Sequence, residues 1–160
     1  MTTPLLQAAL TTATHSTFEE LGLLLVAGDP AASGAGEPAG GPPAAGARVD
    51  FAGPWAGCLV LRVSDDVLDA AAANMMGRDG PPAEPLRRDA LGEMTNVLCG
   101  NLLPLVAGRR AVFRLEAPRW VGAADGDLPP GGARVTVTLD VEGGRASATL
   151  HLPAALLAGG

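Results

Sequence analysis

The stretch from Arg134 to Leu152 limits the possible folds more than any other. Val135, Val137, Leu139 and Val141 alternate with Thr136, Thr138 and Asp140, then Gly143-Gly144 intervenes, and Ala146 to Leu152 alternates again. A period of two puts successive side chains on opposite faces, so each run reads as a strand with one apolar face. Two glycines between such runs suit a hairpin turn, where the backbone needs positive φ. An antiparallel hairpin with one apolar face must lay that face on another layer.

The other elements supply that layer. Residues 3–27 carry Leu5, Leu6, Ala9, Leu10, Phe18, Leu21 and Leu25 at helical spacing, which predicts a first helix. Apart from Asp29 and Glu37, residues 29–46 are all Ala, Gly, Pro and Ser, a composition that predicts a flexible loop. Arg48 to Phe51 and Trp55 to Val63 read as two strands joined through Gly53-Pro54. Ser64 is a suitable N-cap for a helix through Asp65 and Asp66 to about Met76, with Gly77 as its stop. Arg78 to Pro85 reads as a loop. A longer helix follows from about Pro85 to Ala107, ended by Gly108, with Pro104 expected to kink or shorten it. Short strands are expected at Val112 to Leu115 and at Trp120-Val121, then a turn-rich loop from Gly126 to Gly132. The order predicts one domain over residues 1–160. Its class is an α/β (α+β) sandwich: a largely antiparallel sheet with helices on one face.

Composition removes several functions. The chain has 160 residues, a net charge of −6 and no lysine; all 11 basic residues are arginine and none form a long run. Nucleic acids and anionic membrane surfaces are therefore not expected partners. Schiff-base chemistry and a phosphate-loop lysine are excluded. Cys58 and Cys99 are far apart, and His15 and His151 complete no cluster with them, so neither a disulfide framework nor a zinc site is expected. The first arginine is Arg48, so a signal peptide is not expected; the longest apolar runs fall short of a membrane span, and a cytoplasmic location is the default.

The chemistry lies on the long helix. At 100° per residue, Leu91, Met94, Leu98, Leu102 and Leu105 make one apolar stripe. Asp89, Glu93 and Asn96, spaced i, i+4, i+7, stack on the opposite side, with Gly92 and Gly100 beside them. Each helical glycine costs about 1 kcal/mol relative to alanine. Residue patterning leaves two readings open: a solvated face in a Gly-rich protein, or a face bared for close approach by a partner.

Asp89-x3-Glu93-x2-Asn96, followed by Pro118, resembles the signature of the CheC/CheX phosphatases, which act on phosphorylated CheY-type response regulators. Twenty-one residues separate Asn96 from Pro118, against twenty-two in the family pattern. The resemblance extends over Phe51-x-Gly53-x3-Gly57-Cys58-Leu59-Val60-Leu61, over Met75-Met76-Gly77 and over Gly100-Asn101-Leu102. In the first helix Ser16-x3-Glu20 repeats half of the signature, but Leu23 stands where asparagine is needed, which resembles the one-site CheX type.

The resemblance implies a CheC-like fold and a homodimer joined through its sheets. It implies Glu93 and Asn96 as catalytic residues, with Asn96 orienting the attacking water at the regulator's phospho-aspartate and Glu93 pairing with the regulator's lysine. Asp89, Gly92, Gly100 and Pro118 are then expected at the partner contact. No cofactor or metal of the chain's own is implied; the Mg²⁺ belongs to the bound regulator. Two alternatives are a non-catalytic interaction module of the same fold, as in flagellar switch proteins, and a structural or small-molecule-binding α/β domain with Glu93 and Asn96 merely solvated.

Overall fold

The computed structural model describes residues 2–28, 45–77, 80, 82–121, 129, 131–141 and 144–158. Most of the predicted 29–46 loop and parts of the 78–85 and 126–132 loops lie outside them, as does Gly143 of the expected turn. Ala45 and Gly46, expected in the loop, already belong to a strand.

Helix α1 spans Thr3–Glu20. Thr2 caps it, its Oγ1 accepting from the Leu5 N–H at 3.4 Å, and Pro4 sits in the first turn. Leu6, Leu10 and Phe18 are buried, and the Thr14 and Thr17 hydroxyls donate to the carbonyls of Leu10 and Ala13 at 2.7 Å each. The helix is shorter than the expected 3–27. After Leu21 the chain turns at Gly22 and at Leu23, whose φ is 53°. Val26–Gly28 then forms strand β1 on a distant partner. Leu5 and Leu25, counted with the helix's apolar face, are 65% and 70% exposed.

The sheet is antiparallel at every pairing, in the order β1-β6-β7-β3-β2-β4. Its long strands are β2 (Ala45–Ala52), β3 (Ala56–Val63), β6 (Ala133–Val141) and β7 (Gly144–Leu152). The β6–β7 pairing runs from Ala133 opposite Leu152 to Val141 opposite Gly144, the hairpin that the alternation predicts. Two short strands, β4 (Arg114–Leu115) and β5 (Arg119–Val121), share the free edge of β2. One sheet face carries Val49, Phe51, Leu59, Leu61, Leu139 and Leu150 into the core under the helices. The other face holds a small apolar patch, Cys58, Val60 and Val121. A short α4, Ala155–Ala158, which the sequence reading did not anticipate, closes the described chain.

Helix α2 spans Asp65–Met76 and ends on Gly77 at φ 65°, a left-handed stop that glycine takes without penalty. Ser64 holds the N-cap position, but its hydroxyl does not cap. It accepts from the Arg145 N–H of β7 at 3.1 Å, so sheet geometry claims the group that local sequence assigns to the helix. Helix α3 spans Glu84–Ala107 and runs through Pro104 rather than stopping there. Arg87, near its start, reaches Asp69 (2.7 Å) and Asp65 (3.3 Å) of α2 as well as Glu84 (2.5 Å), and so ties the two helices.

By length and composition alone α3 could cross a membrane, a criterion that a buried core helix also meets. Half of that stretch is buried inside the molecule, where Leu91, Met94, Leu98 and Leu102 are fully enclosed. Leu105, the last member of the expected stripe, is 56% exposed.

Candidate functional site

The apolar stripe of α3 faces the sheet and α1, and this fixes which side of the helix faces solvent. Asp89 and Glu93 are exposed and Asn96 is half-buried. All three lie on that outer side, and Glu93 and Asn96 are separated by about 4.5 Å along the axis at 1.5 Å per residue. Thr95 is inward; its hydroxyl donates to the Leu91 carbonyl at 2.7 Å.

Gly92 and Pro118, far apart in sequence, meet here. A Cβ added at Gly92 would lie 3.2 Å from the Pro118 Cβ and 3.5 Å from its Cγ, and Gly92 is buried. The close neighbour at Gly92 within the chain is therefore Pro118. The strap Glu116–Pro118 is carried to the helix by its flanking strands. β4 pairs with Phe51 and Ala52, the Glu116 N–H donates to the Asp50 carbonyl at 2.8 Å, and β5 pairs with Gly46 to Arg48. One turn before Gly92, the Arg88 guanidinium stacks 4.8 Å from the centroid of the Trp120 ring in β5. Sequence patterning missed this Arg88–Trp120 pair, since only the register of β5 brings the two together.

Gly100 differs from Gly92. Nothing lies within 4 Å of a Cβ built there. It opens onto a groove of about 320 Å³ formed with Leu103, Pro104, Val112, Phe113 and Leu115. Phe113 packs edge-to-face on Phe51 (5.7 Å between centroids) and Trp55 (5.2 Å).

The remaining reactive groups lie elsewhere. Arg48, Asp50, Cys58 and His151 border a recess of about 300 Å³ that involves no residue of α3. Asp50 holds Arg48 at 2.7 Å and Arg119 at 3.2 Å. His151 Nε2 bonds the Gly131 carbonyl at 2.8 Å, and His15 lies 3.4 Å from Glu19 on the exposed face of α1. Both cysteines are free and buried; burial pushes the Cys58 thiol up, and that of Cys99 to about 12. Among the described residues no three His, Cys, Asp or Glu gather into a metal-binding group.

An antiparallel sheet with helices on one face is also the architecture of the solved structures this chain is similar to. A CheX from Desulfovibrio desulfuricans matches with a TM-score of 0.70 at 17% identity, over 92% of this chain and 98% of that one. The CheX–CheY–BeF3–Mg complex from Borrelia burgdorferi matches with a TM-score of 0.68 at 15% identity, over 91% and 96%. The FliM middle domain of Vibrio alginolyticus matches with a TM-score of 0.56 at 12% identity, over 98% and 95%. At such identities these likenesses establish the fold, which is that of CheC-like proteins. The family described as chemotaxis phosphatase CheX matches residues 45–142, and the chain belongs to that family. Among curated protein sequences there is no match.

Proposed function

We propose that this chain is a phosphatase for the phospho-aspartate of a CheY-like response regulator. One observation carries the reading: Glu93 and Asn96 project from the outer side of a helix whose register is held by Pro118 against Gly92. Membership of a family described as chemotaxis phosphatases supports it, as does the fold likeness to a CheX solved in complex with CheY.

In the reaction, a water oxygen attacks phosphorus. The bond from phosphorus to the aspartyl oxygen breaks, the carboxylate leaves with its electron pair, and inorganic phosphate departs with the proton balance met by solvent. Such a transfer needs mostly positioning and charge stabilisation. The Asn96 amide supplies both functions: its carbonyl accepts from the water and its NH₂ donates to a phosphoryl oxygen. Glu93, one turn earlier, pairs with the regulator's lysine and sets the docking register. Asp89, a turn further out, makes a peripheral contact at most. The divalent cation that neutralises phosphoryl charge is the regulator's own Mg²⁺. The chain works as one domain over residues 1–160 and pairs with a second copy through its sheet, a state that sedimentation equilibrium would read directly.

The second reading is a non-catalytic docking module of the same fold, since fold alone does not fix activity. The lifetime of phospho-aspartate on the CheY-like receivers of the same organism separates the two. Under the phosphatase reading the wild-type chain shortens that lifetime and Asn96→Ala does not. A wild-type chain that binds a receiver but leaves its phosphate lifetime unchanged is a docking module.

A further inference from the structure

We infer that the groove at the C-terminal end of α3 is a specificity pocket for the same partner, taking an apolar side chain from a receiver loop beside the phosphoryl site. The inference rests on the phosphatase reading for the identity of the partner, and on the following geometry for the pocket itself.

Helical rotation places Gly100 between Glu93 and Asn96 in angle, at about 100° per residue, and about 6 Å beyond Asn96 along the axis. The groove floor is thus the same stripe continued by one turn. Asn96 and this floor therefore share the side of α3 that a docked receiver would cover. The lining side chains are apolar: Leu103 and Pro104 from α3, and Ala111, Val112, Phe113 and Leu115 from the following segment. Val112, at the groove's rim, is 81% exposed and so open to an incoming side chain.

The groove suits a side chain presented by a loop. The far wall is fixed in advance, because Phe113 is clamped edge-to-face by Phe51 and Trp55. A preformed wall lowers the ordering cost of binding, which is how a small pocket adds selectivity to a site whose polar chemistry all receivers share.

The test uses Gly100→Phe and Val112→Asp. Neither substitution meets a packed neighbour, since a Cβ at Gly100 finds open space and Val112 is exposed, and thermal melting checks that both variants fold. The probes are the organism's purified CheY-like receivers, phosphorylated with acetyl phosphate for turnover and activated with beryllofluoride for binding. Both variants are expected to raise KM at least tenfold with kcat changed less than twofold, whereas Asn96→Ala lowers kcat with KM little changed. Wild-type turnover with unchanged KM in both variants overturns the groove and leaves the phosphatase reading standing. If wild type turns over no receiver, the phosphatase reading falls; the groove then stands only if the variants weaken binding of the beryllofluoride form tenfold, and falls with it if no receiver binds. A changed oligomeric state in Gly100→Phe, read by sedimentation, assigns the groove to a second copy and overturns the inference.

Discussion

Pro118 rests on the bare backbone of Gly92, close enough that a Cβ at that position would come within 3.2 Å of the proline ring. The contact joins the motif helix to the edge of the sheet. Gly92→Ala gains about 1 kcal/mol of helix propensity and loses a comparable amount to the tight contact, so its unfolding free energy stays near that of the wild type. Gly92→Leu overpacks the strap and is expected to cost about 1–3 kcal/mol, read by urea denaturation. Pairing it with Pro118→Gly relieves part of that cost; strict additivity of the two single effects would mean that the residues do not press on each other.

Glu93→Ala and Asn96→Ala remove side chains that the core does not use. Each should change stability by less than about 0.5 kcal/mol, as is usual for solvent-facing positions. Asn96→Ala should nonetheless slow turnover of phospho-receiver by roughly 10²-fold or more, the scale of a lost positioning donor. A matching loss of melting temperature would reassign Asn96 to the structure.

Arg87 links α2 and α3 through Asp65, Asp69 and Glu84. Its removal should lower the melting temperature by about 2–4 °C, the shift that about 1 kcal/mol makes in a chain of this size. The Arg87 hydrogen bond holds the Glu84 carboxyl below its ordinary value. A carboxylate depressed in the folded state contributes stability above its unfolded pKa and loses it as pH falls through the folded value. Arg87→Ala should therefore flatten the acid limb of the stability curve, measured by melting from pH 7 down to pH 3. An unchanged acid limb would remove Arg87 from that role.

Leu23 holds a left-handed backbone while 63% exposed, so its side chain contributes little packing and its conformation costs about 1 kcal/mol or more. Leu23→Asn should stabilise the fold by about 0.5–1 kcal/mol. The same change restores the residue that would complete Ser16-x3-Glu20-x2-Asn. Because α1 ends at Glu20, that asparagine would stand off the helix, and Leu23→Asn with Asn96→Ala is expected to show no recovered activity.

Cys99 lies in the core with its thiol pushed up to about 12, and Cys58 is buried in the sheet. Neither should react with iodoacetamide at pH 8 in the native protein, while both should react in denaturant, by intact mass. Rapid native labelling at either position would reveal local opening.

What the sequence disclosed followed the range of each interaction. The β6–β7 hairpin and α2 with its Gly77 stop are local, and alternation or capping residues describe them. The motif stripe of α3 was equally readable, because Asp89, Glu93 and Asn96 share one helix. β1 was read as the end of α1, since its apolar run is compatible with either state and only pairing with β6 decides. Ser64 has the right type for a cap, yet a strand distant in sequence claims its hydroxyl. The Gly92–Pro118 contact was not readable for the same reason: Pro118 arrives from the far edge of the sheet. The end of α3 at Ala107, with Gly108 after it, was by contrast local and readable, and the helix runs through Pro104 to reach it.

The strap between β4 and β5 also bears on how such a motif can drift over evolution. Pro118 is aimed by the two short strands that pin its flanks to β2, not by the number of residues between it and Asn96. The connection after Gly108 and before Arg114 belongs to neither helix nor strand, so a residue can be lost there while Pro118 still arrives at Gly92. An interval one residue short of the family's pattern is thus compatible with the Gly92–Pro118 contact. Chains that keep the helix and the two pins can vary that interval and escape any search written for a fixed count.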